Sequence, residues 1–363
     1  MPTRHIAIRT DATRQTGTGH FMRCLTLADG LLRCGAKIRF VSRGLPAHLC
    51  DMLAQRSIEL ASLDGGKEGG TKGDLQHAHW LGCSQEQDAK VTQLALSDQQ
   101  WDWLIVDHYA LDARWESKLR GSARRILAID DIADRQHDCD ILLDQNFYAD
   151  MQTRYTGKVP AWCTMLLGPR FALLREEFRT LCEHARQRTG PVKKILVFFG
   201  GVDSDNYTGL AIEVLSELKK PSIQVDVVIG AQHPCRSAIE KNCALQGFFC
   251  HVQTTRMAEL MLSADLAIGA GGSATWERCT MGVPSIIMVL AGNQSKAAND
   301  LDRAGALISL GDAHLIDKPA LKQAISQLIE NEQLRRDLSL ASLALMKTSK
   351  QNELAEKLVA NNV

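Results

Sequence analysis

Short apolar runs alternate with longer stretches in which leucine, alanine and isoleucine recur three and four positions apart, and the alternation occurs in two successive series. In the first series, His5 to Thr10, Lys37 to Ser42, Trp103 to Asp107, Arg125 to Asp130 and Ile141 to Asp144 predict strands. Met22 to Cys34 reads as an amphipathic helix after the first of them. Helix-length segments separate most strands, so a parallel sheet with right-handed crossovers is expected, covered by helices on both faces. A glycine- and lysine-rich stretch, Asp64 to Asp74, reads as a mobile loop.

The second series follows a polar, basic segment around Cys182 to Lys194. Its predicted strands are Ile195 to Phe199, Gln224 to Ile229, Phe248 to Val252, Leu266 to Gly269 and Ser285 to Val289. From Lys318 onward, leucine and alanine at helical spacing with charges between them predict closing helices. At 363 residues the chain exceeds one ordinary core. The expected fold class is therefore α/β, with two Rossmann-like domains facing across a cleft. The amino-terminal domain is expected over 1–185 and the carboxy-terminal domain, with its closing helices, over 186–363.

Composition narrows the partners. Lys and Arg number 42 against 42 Asp and Glu, so whole-molecule charge gives no reason to expect nucleic acid or an anionic membrane as partner, and a small ligand fits better. Eleven cysteines, an odd number without a Cys-x-x-Cys pair, read as buried thiols. No apolar run approaches the ~20 residues that cross a bilayer, and Met1 to Asp11 reads as a strand rather than a signal peptide. A cytoplasmic protein without membrane insertion is expected.

Chemistry enters at Gly17-Thr18-Gly19-His20-Phe21-Met22-Arg23. This run places His20 on a glycine-rich turn at the carboxyl edge of the first strand, where open α/β sheets bind ligands. Imidazole is the side chain suited to act as a base near neutral pH. Asp11, ending the same strand, is expected to orient it. Two more strand exits, Asp107-His108-Tyr109 and Leu290-Ala291-Gly292-Asn293-Gln294, offer Tyr109 and Asn293 to sugar hydroxyls or acetamido groups.

In the second half, Gly269-Ala270-Gly271-Gly272-Ser273-Ala274-Thr275-Trp276-Glu277 follows a strand and opens a helix. Ser273 is expected to be the N-cap, with the following amides suited to a diphosphate and Glu277 to a vicinal diol such as ribose. Phe199-Gly200-Gly201-Val202-Asp203 brings further backbone amides to a strand edge. Neither a P-loop nor a Gly-x-Gly-x-x-Gly after the first strand is present. His77-Ala78-His79 lacks a third ligand nearby in sequence, and His137-Asp138-Cys139-Asp140 reads as solvated charges, so neither a metal nor another cofactor is expected.

Taken in order, Ile8-Arg9-Thr10-Asp11, the His20 run, Asp107-His108-Tyr109, Leu167-Gly168-Pro169-Arg170-Phe171-Ala172-Leu173-Leu174-Arg175-Glu176-Glu177-Phe178, Gly200-Gly201-Val202-Asp203, Gly272 to Arg278 and Ala291-Gly292-Asn293-Gln294 resemble the UDP-sugar hydrolases of pseudaminic acid biosynthesis. The resemblance runs through most of the chain. It implies a GT-B-like fold, similar to that of the lipid-linked N-acetylglucosaminyltransferase of peptidoglycan synthesis. By it, His20 corresponds to a catalytic histidine. It also matches Tyr109 and Asn293 to residues near the sugar and Ser273, Thr275 and Glu277 to the nucleotide site; beside them, Asp11, Gly17 and Gly19 are expected on the sugar side and Gly200, Gly201, Gly272 and Ala274 on the UDP side. The implied substrate is a UDP-linked diacetamido sugar, with other enzymes of that pathway as further partners. A glycosyltransferase on the same scaffold and a non-catalytic nucleotide-sugar-binding subunit are the alternatives.

Overall fold

The computed structural model describes residues 3–13, 16–63, 73–347 and 353–360; most of the predicted mobile stretch, residues 64–72, lies outside them. Two compact units emerge. In the first, the chain runs β1 (His5–Thr10), α1 (Gly19–Arg33), β2 (Lys37–Arg43), α2 (Ala47–Ala54), β3 (Glu59–Leu63), α3 (Gln85–Ala95), β4 (Trp101–Asp107), α4 (Ala113–Leu119), β5 (Ala123–Ile129), β6 (Ile141–Asp144) and β7 (Thr164–Leu167). Among the described residues these strands form one sheet in the order β3-β2-β1-β4-β5-β6-β7, paired in parallel throughout.

β1 is apolar on both faces because both are covered. Ile6 and Ile8 pack with Phe21, Cys24, Leu25, Ala28 and Leu31 of α1, whereas Ala7 joins Val41, Leu104 and Val106 in a cluster on the other side. The strand order reverses between β1 and β4, whose ends pair Thr10 with Asp107. A crevice outside the carboxyl ends of such strands is the ligand position of an open α/β sheet.

The second unit contains α5 (Glu176–Leu181), β8 (Lys194–Phe198), α6 (Tyr207–Glu217), β9 (Gln224–Ile229), α7 (Arg236–Gln246), β10 (Phe249–Val252), α8 (Met257–Ser263), β11 (Leu266–Ala270), α9 (Ala274–Thr280), β12 (Ser285–Val289), α10 (Gly292–Arg303), β13 (Ile308–Asp312), α11 (Lys318–Glu330) and α12 (Glu332–Met346). Its sheet repeats the plan, β10-β9-β8-β11-β12-β13, with the reversal between β8 and β11. Two Rossmann-like domains are thus present.

Several sequence expectations change. β3, β7 and β13 are strands with no counterpart in the sequence reading. All three are sheet edges with partly exposed residues, so they lack the continuous apolar run of a central strand. The boundary at 185/186 also shifts. The first unit takes residues 150–173 and the last helix, α13 (Glu353–Ala360), while the second takes residues 147–149 and everything from Leu174 to Ser349. The apolar face of α13, Leu354, Ala355 and Leu358, belongs to the core around β1 and α1. Trp103 Nε1 donates to the Leu358 carbonyl at 3.0 Å, and Gly30 leaves room for Ala355 beside α1. The cysteines are all free, but only Cys24, Cys139, Cys243 and Cys279 are buried; the rest are half-buried. Among the described residues, no helix is long and apolar enough to cross a membrane.

Candidate active site

In the first unit the reversal point gathers charged side chains. α1 begins at Gly19, earlier than the sequence suggested, so His20 occupies its first turn rather than the preceding loop. Residues three apart share a helix face, which brings Arg23 beside His20. Both reach Asp107, the last residue of β4. His20 Nδ1 lies 2.5 Å from Asp107 Oδ1, and Arg23 donates to both carboxylate oxygens, Nε to Oδ2 at 2.5 Å and Nη2 to Oδ1 at 2.7 Å. The remaining Arg23 nitrogen, Nη1, donates to Asp131 Oδ2 at 2.7 Å, and the Tyr109 hydroxyl donates to Asp131 Oδ1.

Burial alone would raise the Asp107 carboxyl, but Arg23 and His20 outweigh it and hold the group well below the usual carboxylate range. An ionised carboxylate can only accept, so His20 donates from Nδ1, and in the neutral imidazole the lone pair is then on Nε2. The 3.1 Å approach of Arg23 Nη2 to Nδ1 is then that of two donors meeting at one oxygen. The His20 side chain is 11 % exposed, with its Nδ1 edge held by Asp107.

Asp11 does not orient His20, contrary to expectation. It is buried under Arg9, two residues back on the same strand face, whose guanidinium grips both its oxygens. It also accepts from Arg43 N at 2.7 Å and Ser42 Oγ at 3.3 Å, and sits 3.3 Å from His108 Nε2, tying together the ends of β1, β2 and β4. Gly17 has φ of +67°, and a Cβ at Gly17 or Gly19 would meet nothing within 4 Å, so the backbone there borders open space. Tyr109 is buried and its hydroxyl is committed to Asp131; its ring meets the His20 ring edge-on at 4.5 Å.

Among the described residues, His77 and His79 belong to no group of three or more potential metal ligands. His77 precedes a short 3₁₀ turn, Ala78–Leu81, that contains His79, and packs on Trp80 at 4.4 Å. His137 is likewise not a solvated charge. It is buried, with Nδ1 2.8 Å from Glu116 Oε1 and Nε2 3.7 Å from Asp130 Oδ2. Burial opposes its charge, yet Glu116 and Asp130 prevail and lift the imidazole from 6.5 to about 9. A folded-state value above the unfolded one means that this stabilisation is complete below the unfolded pKa and is lost as pH rises through about 9. Its full size is on the order of 3 kcal/mol. The stability advantage of the wild type over His137→Gln should therefore be greatest near pH 6 and shrink by pH 9.5 in parallel denaturant titrations. A gap of constant size across that range would show that His137 is not charged in the fold.

In the second unit, the loops after β8 and β11 lie at adjacent strand ends. Gly200 turns with φ of +103°, and the next carbonyl, Gly201, lies against Gly230, where a Cβ would sit 2.0 Å from that oxygen. Asp203 anchors the loop by accepting from Tyr207 N at 3.0 Å and Thr208 N at 2.8 Å at the start of α6. Gly272 has φ of +94°. Ser273 stands at the N-cap position of α9 but makes no capping bond. Its backbone is already helical (φ −59°, ψ −33°), whereas a capping side chain needs an extended backbone to reach back to the amides.

Beneath this loop, buried Arg278 donates from Nη2 to the Ala270 carbonyl at 2.7 Å and to Thr275 Oγ1 at 3.1 Å. Burial pushes its guanidinium down to about 10, still charged at neutral pH. Glu277 accepts a two-pronged pair from Arg175, Nε to Oε1 at 2.8 Å and Nη2 to Oε2 at 3.1 Å. Each carboxylate oxygen retains a second lone pair, so the fork sets the plane of Glu277 without exhausting its accepting capacity. Asn293 is exposed in the first turn of α10, and its neighbour Gln294 places Oε1 against Gly271. Arg23, Asp107, Asp131, Arg175 and Arg278 received no role from the sequence. An acidic residue closing an apolar strand, and an arginine three positions beyond a singled-out histidine, were the available signals.

Comparison with known proteins places these sites in context. Residues 194–358 match the glycosyltransferase family 28 C-terminal domain. The chain is 25% identical over 302 residues to the UDP-2,4-diacetamido-2,4,6-trideoxy-beta-L-altropyranose hydrolase of Campylobacter jejuni, covering 83% of this chain and 97% of that one. This similarity agrees with the resemblance of the motif blocks. Among solved structures, MurG of Acinetobacter baumannii is 16% identical with a TM-score of 0.61, covering 98% of this chain and 99% of that one. Phytolacca americana UGT2, in complex with UDP-2fluoro-glucose and pterostilbene, is 12% identical with a TM-score of 0.68 over 100% and 99%. The fold is that of these two-domain glycosyltransferases.

Proposed function

We propose that this protein hydrolyses a UDP-linked 2,4-diacetamido-2,4,6-trideoxyhexose, of β-L-altropyranose configuration, to UDP and the free sugar. The observation that carries the reading is the His20–Asp107 pair, in which the carboxylate engages Nδ1 and leaves Nε2 for the part of base. Similarity to the Campylobacter hydrolase supports the substrate. In this reading Nε2 takes a proton from water, the water oxygen bonds to the anomeric carbon, and the carbon–oxygen bond to UDP breaks on the opposite face, inverting the centre. A diphosphate leaves as a stable anion, so no second carboxyl group is needed to protonate it, as an ordinary inverting glycosidase requires. The second unit holds UDP, with the amides around Gly200-Gly201 and Gly272 to Thr275 on the diphosphate, Arg278 adding positive potential and Glu277 on the ribose. The reaction belongs in the cytoplasm, in pseudaminic acid biosynthesis for flagellin or surface glycans, and proceeds without a metal.

The test is UDP release from the UDP-linked diacetamido altrose, with chelator and no acceptor, following the anomer first formed. Rapid release with inversion supports the proposal; UDP binding without release defeats it. The family 28 match favours one second reading, transfer of the sugar to an acceptor. Release that waits for an added acceptor would establish that reading instead.

Glu277→Ala tests the nucleotide half. A hydrogen bond to a charged group contributes about 1.5–3 kcal/mol, so loss of the ribose contact should weaken UDP binding roughly tenfold to a hundredfold by calorimetry. Turnover at saturating substrate should change far less. Undiminished UDP affinity would remove Glu277 from the site.

A further inference from the structure

Three rings stand around His20 that the proposed chemistry leaves unused. Trp80 stacks on Tyr109 with centroids 5.5 Å apart and planes 29° apart, and His77 packs against both, 4.4 Å from Trp80 and 5.3 Å from Tyr109. The His20 ring meets this group edge-on, at 86° to Tyr109 and at 76° to Trp80, whose centroid is 6.3 Å away. Tyr109 is buried, so the surface the group offers belongs to Trp80 and His77, both half-buried. Trp80 is held in place as well. The next residue, Leu81, is buried in the core beside β4, and Gly82 then turns the chain left-handed with φ of +71°.

Distance decides what this surface meets. A base acts on a water about 3 Å away, and that water attacks a carbon about 3 Å further on. The anomeric carbon would therefore lie within about 6 Å of Nε2, and the Trp80 ring, its centroid 6.3 Å from that of His20, stands in the same surroundings. Aromatic faces favour apolar C–H groups, and an indole offers the largest such area. A 2,4-diacetamido-2,4,6-trideoxyhexose carries three methyl groups, one at C6 and two on the acetamides, where a common hexose carries hydroxyls.

Resting on the hydrolase reading, we infer that Trp80, backed by His77, is a specificity-determining residue that receives the methyl-bearing face of the sugar and selects deoxy, acetamido-substituted hexoses over hydroxylated ones. His20 supplies the chemistry, and Trp80 supplies the preference for the sugar it acts on.

Binding measured in a His20→Ala background, where turnover is suppressed, keeps the two ideas apart. Calorimetry would compare UDP, UDP-N-acetylglucosamine and the UDP-linked diacetamido altrose with and without Trp80→Ala. UDP affinity should stay within twofold. Affinity for the diacetamido sugar should fall at least tenfold, its advantage over UDP-N-acetylglucosamine should shrink by a similar factor, and Trp80→Phe should recover most of both. Equal losses for the two sugars, or none, would overturn the inference. So would a Trp80→Ala enzyme with intact His20 whose KM is unchanged while kcat drops, since Trp80 would then only prop Tyr109 and His20. Failure of the wild type to release UDP would defeat the hydrolase reading while leaving this binding comparison legible.

Discussion

Replacing His20 by alanine should lower turnover of the UDP-linked diacetamido sugar by ~10²–10⁴, the range of general-base assistance, while UDP affinity stays within about twofold. The two effects separate because UDP is assigned to residues of the second unit and the base to the first. Folding should be little affected. The side chain is partly exposed, and Asp107 keeps both bonds from Arg23 when the imidazole is removed. The opening left at Asp107 is within reach of solvent, so added imidazole should restore part of the rate in a concentration-dependent way. Steady-state kinetics beside calorimetry makes the measurement. Wild-type turnover in the variant would place the base elsewhere, and a matching loss of UDP affinity would show that His20 binds rather than reacts.

How much of this site was legible depended on how local each piece is. Central strands such as β1, β4 and β11 are buried on both faces, so their apolar runs stand out against the polar turns that end them. The edge strands β3, β7 and β13 carry no such contrast. His20 was legible because the glycines around it mark a strand-to-helix turn, and such turns at strand ends are where this class of sheet binds ligands. Its partner was not, since Asp107 comes from a strand 87 positions further on and meets His20 only because β1 and β4 are neighbours across the reversal. Proximity in sequence favoured Asp11 instead, but Arg9 shares its strand face and claims it. The same limit applies to the rings. Read as a string, His77-Ala78-His79 lacks a third metal ligand and gives its neighbour Trp80 no role, and only the approach of Tyr109 shows that Trp80 is the side chain of interest. At Ser273 the residue type was right for a cap, but the local backbone angles decide whether a hydroxyl can reach the helix amides.

Asp107→Asn should be nearly as damaging to turnover as loss of His20, and unlike that change it should also destabilise the fold. The carboxylate faces four donors, His20 Nδ1 and Arg23 Nη2 at Oδ1, and Arg23 Nε and the Cys24 thiol at Oδ2. An amide has only one accepting atom, so its NH₂ must face either His20 and Arg23 Nη2 or Arg23 Nε and the Cys24 thiol. If it faces His20, the imidazole has to accept at Nδ1 and carry its proton on Nε2, the tautomer that cannot take a proton from water. Losses up to ~10⁴ follow when an orienting carboxylate is replaced in this way, and at least ~10 when an outer partner of a functional histidine is removed. If the NH₂ instead faces Arg23, a buried guanidinium loses half of its partner, and breaking a buried pair costs about 3–5 kcal/mol. Either orientation should lower the denaturation midpoint, whereas His20→Ala should leave it nearly unchanged. Nitrogen-15 spectra of the labelled imidazole separate positioning from mere structure, because in the wild type the proton should reside on Nδ1 and in Asp107→Asn it should shift toward Nε2. A variant that keeps its rate and its tautomer while losing stability would reduce Asp107 to a structural ion-pair partner of Arg23 and leave the orientation of His20 to another group.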